Sequence, residues 1–176
     1  MKIDAFITTF EENKLFDIVY YHTPERWNAV SLNDIDFVDD NWSNEIKFLS
    51  ENGIDISNEI KNIPTNQGGI YLFFIKGILI PNFETYLAYI GRAQFTENQN
   101  LKKRCCSYYY EYFKLDSRPK ISRMIEKWGK HLYLRYYPSV DNEFIRKVEA
   151  KLINGILPPF NDEIPEMKVN KPEPAF

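Results

Sequence analysis

The chain runs to 176 residues, 44% hydrophobic and 27% charged, with seven glycines and ten prolines, a composition suited to one globular domain with an extension, or to two small ones. No stretch approaches the ~18 uninterrupted apolar residues of a membrane span, and Met1-Lys2-Ile3-Asp4 meets charge at once, without the apolar core of a secretory signal. Cys105 and Cys106 are adjacent and close no useful loop, and two histidines without a spaced cysteine pair make no structural zinc site, so a cytoplasmic protein with no membrane partner is expected.

In chain order, the first sixty-odd residues mix apolar alternation (Phe6, Phe10, Phe16, Ile18, Tyr20) with acids. Trp42, Ile46 and Leu49 recur at helical spacing and predict a helix near Asn41–Asn52, with Gly53 as its stop. The breaker cluster Ile63-Pro64-Thr65-Asn66-Gln67-Gly68-Gly69 marks a boundary. Beyond it, Ile70–Ile75 is a short apolar run fit for a buried strand, and Lys76-Gly77 starts a connection. Ile78–Ile80 and Tyr86–Ile90 are further strand candidates, with Ile78–Thr85 an inserted hairpin or loop. Asn100–Phe113, Pro119–Trp128 and Asp141–Ile156 predict helices, and His131–Tyr137 a strand between the last two. The tail from Pro165 to Phe176 has three prolines and little apolar content, so it is expected to be loosely held. The expected fold class is α/β: a small central, mostly antiparallel sheet of about three strands plus the inserted hairpin, flanked by helices. An acidic N-terminal extension or subdomain covers 1–66, the main domain 67–163 and the tail 164–176.

The net charge of -3 conceals a split. Residues 1–66 hold five Lys/Arg against thirteen Asp/Glu, whereas residues 92–135 hold eleven basic against four acidic side chains. Tyr108, Tyr109, Tyr110, Tyr112, Phe113, Trp128 and Tyr133 are interleaved with that basic segment. Basic residues neutralise phosphates and aromatic rings stack on bases, so nucleic acid is the partner to consider. Lys102, Lys103, Arg118, Lys120, Arg123 and Lys127 are the candidate phosphate contacts; a solvated helix face is the plainer reading of the same lysines.

On the Asp141–Ile156 helix, Ile145, Val148, Leu152 and Ile156 form the core-facing stripe, and Glu149 falls on or beside it. A carboxylate there needs a cation, a metal or hydrogen-bond donors; a neighbouring Lys or Arg would suffice. Arg104 similarly borders the stripe Leu101, Cys105, Tyr108 and Tyr112.

Gly69-Ile70-Tyr71 on one predicted strand and Tyr89-Ile90-Gly91 on the next, then Leu101-Lys102-Lys103-Arg104 opening a helix, Glu149 mid-helix and Pro159-Phe160-Asn161 after it, form an ordered set. Over residues 67–163 this set resembles the GIY-YIG nuclease superfamily. The resemblance implies the GIY-YIG fold and a nuclease that cuts a phosphodiester with one divalent metal, magnesium or manganese. Glu149 would be the metal-binding carboxylate, and one carboxylate is enough for a cation that keeps several waters. Arg104 would face the scissile phosphate and stabilise transition-state charge. Tyr71 would be general base or positioner of the attacking water, a base role needing nearby cations because an unperturbed tyrosine titrates near pH ~10. Tyr89 would supply a second hydroxyl, and Asn161 would brace the site. Arg92 stands where many relatives carry lysine or histidine; it can bind phosphate but is a poor base. The motif tyrosines lie eighteen positions apart, a longer interval than in compact members, and Gln94–Gln99 is a polar insertion before the helix.

The implied substrate is DNA in preference to RNA, in a restriction, defence or repair-type reaction. The competing class is a catalytically silent module of the same fold that binds nucleic acid or protein. The acidic region could contact a protein partner, mediate homodimerisation or mask the basic face; equally, Phe6, Phe10, Phe16, Trp27 and Trp42 could complete the core. Masking predicts that deleting residues 1–62 strengthens non-specific DNA binding.

Overall fold

The computed structural model describes residues 41–80, 83–113, 119–161 and 165. The greater part of the acidic region, the tail beyond Pro165 and Arg118 lie outside the described residues. Among the described residues the architecture is α/β: a four-stranded antiparallel sheet with three α-helices. The elements are β1 (Ile46–Lys47), β2 (Gly68–Lys76), β3 (Thr85–Ala93), α1 (Leu101–Phe113), α2 (Pro119–Trp128), β4 (Leu132–Ser139) and α3 (Asn142–Ile156). Sheet order is β1-β4-β2-β3, so the apolar run predicted as a buried strand lies inside the sheet and β3 forms one edge.

Strand β2 alternates its side chains between two cores. Tyr71, Phe73 and Ile75 join Leu101, Cys105 and Tyr108 of α1 and Ile121, Met124 and Ile125 of α2. Ile70 joins Ile145, Val148 and Ile153 of α3 on the opposite face. Burial on both faces explains why Ile70–Ile75 reads as an almost continuous apolar run. Helix α3 is started by Asp141, whose carboxylate accepts the Glu143 and Phe144 amides, and stopped at Leu157 in the left-handed region (φ 54°). The chain then turns back along β3.

The α-helix expected near Asn41–Asn52 is absent; the chain is extended through Ile46 and Lys47 and turns at Glu51 and Asn52. Ile46 and Lys47 pair with Leu134 and Tyr133, the Ser43 amide donates to Tyr136, and the Phe48 amide donates to Leu132. Gly53, at φ 72°, closes a turn that lets Leu49 pair with Ile56. The open edge of β4 supplies hydrogen bonds that a local helix would forgo, and Phe48 and Leu49, adjacent in sequence, are both buried. Ile78–Ile80 is likewise not a strand. It belongs to the β2–β3 connection, where the Glu84 carboxylate accepts the Leu79 and Ile80 amides and Ile78, Leu79, Ile80 and Phe83 stay exposed. Among the described residues no helix is long and apolar enough to cross a membrane.

Candidate active site

The glycines of both tripeptides are fixed by close approach. A β-carbon on Gly69, at φ 151°, would lie 2.2 Å from the Tyr137 carbonyl oxygen of β4. One on Gly91 would lie 2.5 Å from Cζ and Oη of Tyr71, whose ring crosses the bare backbone of its cross-strand partner. Gly91 thereby lets Tyr71 lie flat across an edge strand.

Because β3 is an edge, groups from both sheet faces meet around it. Tyr71, Tyr89 and Arg104 reach it from the α1 side, Arg92 and Glu149 from the α3 side, and Asn161 along the strand itself. All six line one cleft of about 690 Å³. Residues some ninety positions apart in sequence thus share one concavity.

The Tyr71 and Tyr108 hydroxyls are 2.6 Å apart, and the Tyr108 hydroxyl donates to that of Tyr89 at 3.2 Å. Burial pushes Tyr71 well above its ordinary pKa, and Tyr108 and Tyr89 add to the shift; the Arg104 charge opposes it without overcoming it. Tyr108 is raised too, again chiefly by burial. Tyr71 and Tyr108 are therefore neutral phenols at neutral pH. The Arg104 guanidinium lies 5.0 Å over the Tyr108 ring and 3.9 Å from the Glu111 carboxylate and hydrogen-bonds the Tyr71 hydroxyl, contacts that do not use all five of its N–H donors.

Glu149 has a side chain only 14% exposed, with Oε2 2.5 Å from the Arg92 guanidinium. Burial raises its pKa, and Arg92 and Arg104 pull in the opposite direction. Among the described residues no group of three or more His, Cys, Asp or Glu could hold a metal. Among the described residues Glu149 is the one carboxylate that lines the cleft, and a lone carboxylate fits a hard, largely hydrated magnesium or manganese ion and does not fit zinc.

Asn161 is a clamp. Its Oδ1 accepts the Ile90 amide at 3.0 Å and its Nδ2 donates to the Ile90 carbonyl at 2.8 Å, while the Phe160 amide donates to Ala88. The outer edge of β3 is thereby paired and the Tyr89–Gly91 backbone held.

The basic set is placed differently. Lys102 and Lys103 line a separate groove on α1. Lys120 donates to the Asn161 carbonyl at 3.0 Å. Arg123 is half-buried and Lys127 exposed on α2, and neither lines the cleft. The cleft also contains Gln94 and Gln99, the two ends of the polar insertion, and Arg146, which sequence reasoning passed over. Arg146 precedes Glu149 by three positions and Tyr108 follows Arg104 by four, so helical spacing from the two chosen residues could have found both.

No family model, curated protein or solved structure matches the chain.

Proposed function

We propose that this protein is a metal-dependent endonuclease of the GIY-YIG type that hydrolyses phosphodiester bonds in nucleic acid, DNA in preference to RNA. One observation carries the reading: Tyr71, Tyr89, Arg92, Arg104, Glu149 and Asn161, singled out by motif from separate parts of the chain, all line the same cleft. Chance would scatter six such positions over a sheet and two helices.

The residues divide the work by their chemistry. Arg104, always protonated and with donors to spare, binds the scissile phosphate and stabilises the charge that develops on it. Tyr71 and Tyr89 offer hydroxyls that donate hydrogen bonds and orient; a phenol as deeply buried as Tyr71 is not suited to take a proton at neutral pH. Glu149 would hold the divalent ion, which supplies Lewis-acid neutralisation of phosphate charge when bound. Arg92 fixes the Glu149 carboxylate, and Asn161 fixes the strand that carries Tyr89 and Arg92.

Incubating supercoiled plasmid with the protein, with and without magnesium or manganese, tests the reading. Metal-dependent nicked or linear product, absent with Glu149→Ala, is the expected result. The Arg92–Glu149 ion pair favours a second reading, a silent nucleic-acid- or protein-binding module whose carboxylate is answered by arginine alone. Folded protein that neither cuts plasmid, branched DNA or RNA nor binds manganese through Glu149 would establish that alternative.

A further inference from the structure

Helix α1 separates two concavities. Gln99 and Arg104 line the cleft, whereas Asn100, Lys102, Lys103, Cys106 and Tyr110 line a second groove of about 740 Å³ on the other side of the helix. We propose that this groove binds an unpaired nucleic-acid strand, with a base stacked on Tyr110 and a phosphate at Lys103. If the nuclease reading holds, on which this last step rests, the substrates carry single-stranded nucleotides beside the cut.

The argument begins with exposed aromatics. Tyr110 is 55% and Phe113 49% exposed, although the core beneath α1 is already filled by Leu101, Cys105 and Tyr108. Their rings belong to one connected run: Tyr109 lies 5.5 Å from Tyr110 and 4.7 Å from Phe113, which lies 5.0 Å from Tyr112. Exposed, mutually braced ring faces are platforms on which any base can stack.

Charge selects the ligand class. Lys102 Nζ donates to the Lys61 carbonyl at 2.8 Å and Lys103 Nζ to the Asn98 carbonyl at 3.3 Å. An ammonium group carries three donors, so each lysine is tethered at the groove and retains donors for phosphate oxygens. The groove's acid, Glu111, lies 3.9 Å from Arg104 and has its charge partly answered from the cleft side. Fixed positive charge beside open ring faces suits a strand whose bases are free to stack; duplex DNA keeps its base faces inside and presents only edges. A helix is about 10 Å thick, which corresponds to about three base steps at ~3.4 Å each. A strand in the groove therefore lies a few nucleotides from the cleft.

The test is fluorescence anisotropy of the full chain without divalent metal, using a short end-labelled oligothymidylate, an oligouridylate and a duplex of equal length. Tyr110→Ala is expected to weaken single-strand binding by roughly tenfold, and Tyr110→Phe to retain it. Lys103→Ala should lower the salt dependence of log affinity by about 0.7. Duplex affinity should not respond to Tyr110→Ala. Whichever labelled strand shows Tyr110-dependent binding identifies the sugar, and both doing so means that the groove ignores it. Failure of the wild-type protein to bind either strand, or equal binding by Tyr110→Ala, overturns the assignment. The nuclease reading fails separately: Tyr110-dependent binding in a protein that cleaves nothing removes the nuclease and leaves the groove.

Discussion

Glu149 holds its charge where burial disfavours it, and Arg92 and Arg104 only partly offset that cost. A carboxyl with a raised pKa favours the folded state when protonated; that advantage is complete below the unfolded pKa and lost as pH rises through the folded one. Glu149→Gln should therefore raise the melting temperature at neutral pH, and the gain should vanish toward pH ~3, where both states are protonated. If the protein is the nuclease proposed, the same substitution should abolish cleavage. Thermal melts of both proteins across pH check the first expectation; a Gln variant less stable than wild type at neutral pH would contradict it. If the protein is the nuclease proposed, cleavage should fall on the acid side as Glu149 becomes protonated, since a protonated carboxyl cannot hold a divalent ion. Tyr71 works in the opposite direction: its ionisation lies above pH ~10, so it contributes no alkaline inflection below that value. Tyr71→Phe should lower turnover by about 100-fold through a lost donor, while Tyr108 keeps its bond to Tyr89 and the fold survives. A Tyr71→Phe enzyme with wild-type turnover would remove Tyr71 from the chemistry. Tyr71 and Glu149 were legible in the sequence, one on an apolar strand and the other beside the core-facing stripe of a helix. Their electrostatics were not, because burial depends on Tyr108 and α3 packing over them.

Strand β3 shows how an edge becomes a rigid support. Asn161 occupies both polar groups of Ile90, a residue whose side chain is fully buried. Asn161→Ala leaves an amide and a carbonyl without those partners, at a cost of about 1–3 kcal/mol. For a protein of this size that is a fall of about 5 °C in melting temperature. Turnover should fall with it, because Tyr89 and Arg92 flank the released position; unchanged stability and turnover would show that the clamp is idle. The helices α1, α2 and α3 were legible almost to the residue, since each carries an apolar stripe and α3 has Asp141 as its cap. The stretch 41–52 misled because three apolar residues at helical spacing also fit extended chain when a sheet edge waits for them. Only the open side of β4, more than eighty positions later, decides between the two. Ile78–Ile80 misled for the reverse reason: its apolar character faces solvent, and Glu84 organises it as a loop.

At the scale of the whole molecule, charge and core divide the chain at different places. The net charge changes sign across the breaker cluster at 63–69, yet Ile46, Phe48, Leu49 and Ile60 on its acidic side are buried in the core shared with β2, α1 and α2. Removing residues 1–62 would strip those four side chains, each contributing roughly 1.5–3 kcal/mol, against a total stability of about 5–15 kcal/mol. Such a truncation would unfold the protein and say nothing about masking. Deletion of residues 1–40 is the informative cut: it removes three basic and nine acidic residues, a net of -6, and leaves every described residue in place. If the acidic segment masks the basic half, this truncation should bind non-specific duplex DNA several-fold more tightly at low salt. The gain should shrink as the screening length falls below ~10 Å near 0.1 M salt. Circular dichroism and a melt run beside the binding assay separate the alternatives. Tighter binding with an unchanged melting temperature establishes masking. A lowered melting temperature without tighter binding means that Phe6, Phe10, Phe16 and Trp27 complete the hydrophobic core instead, because lost packing lowers stability whereas lost repulsion of DNA does not.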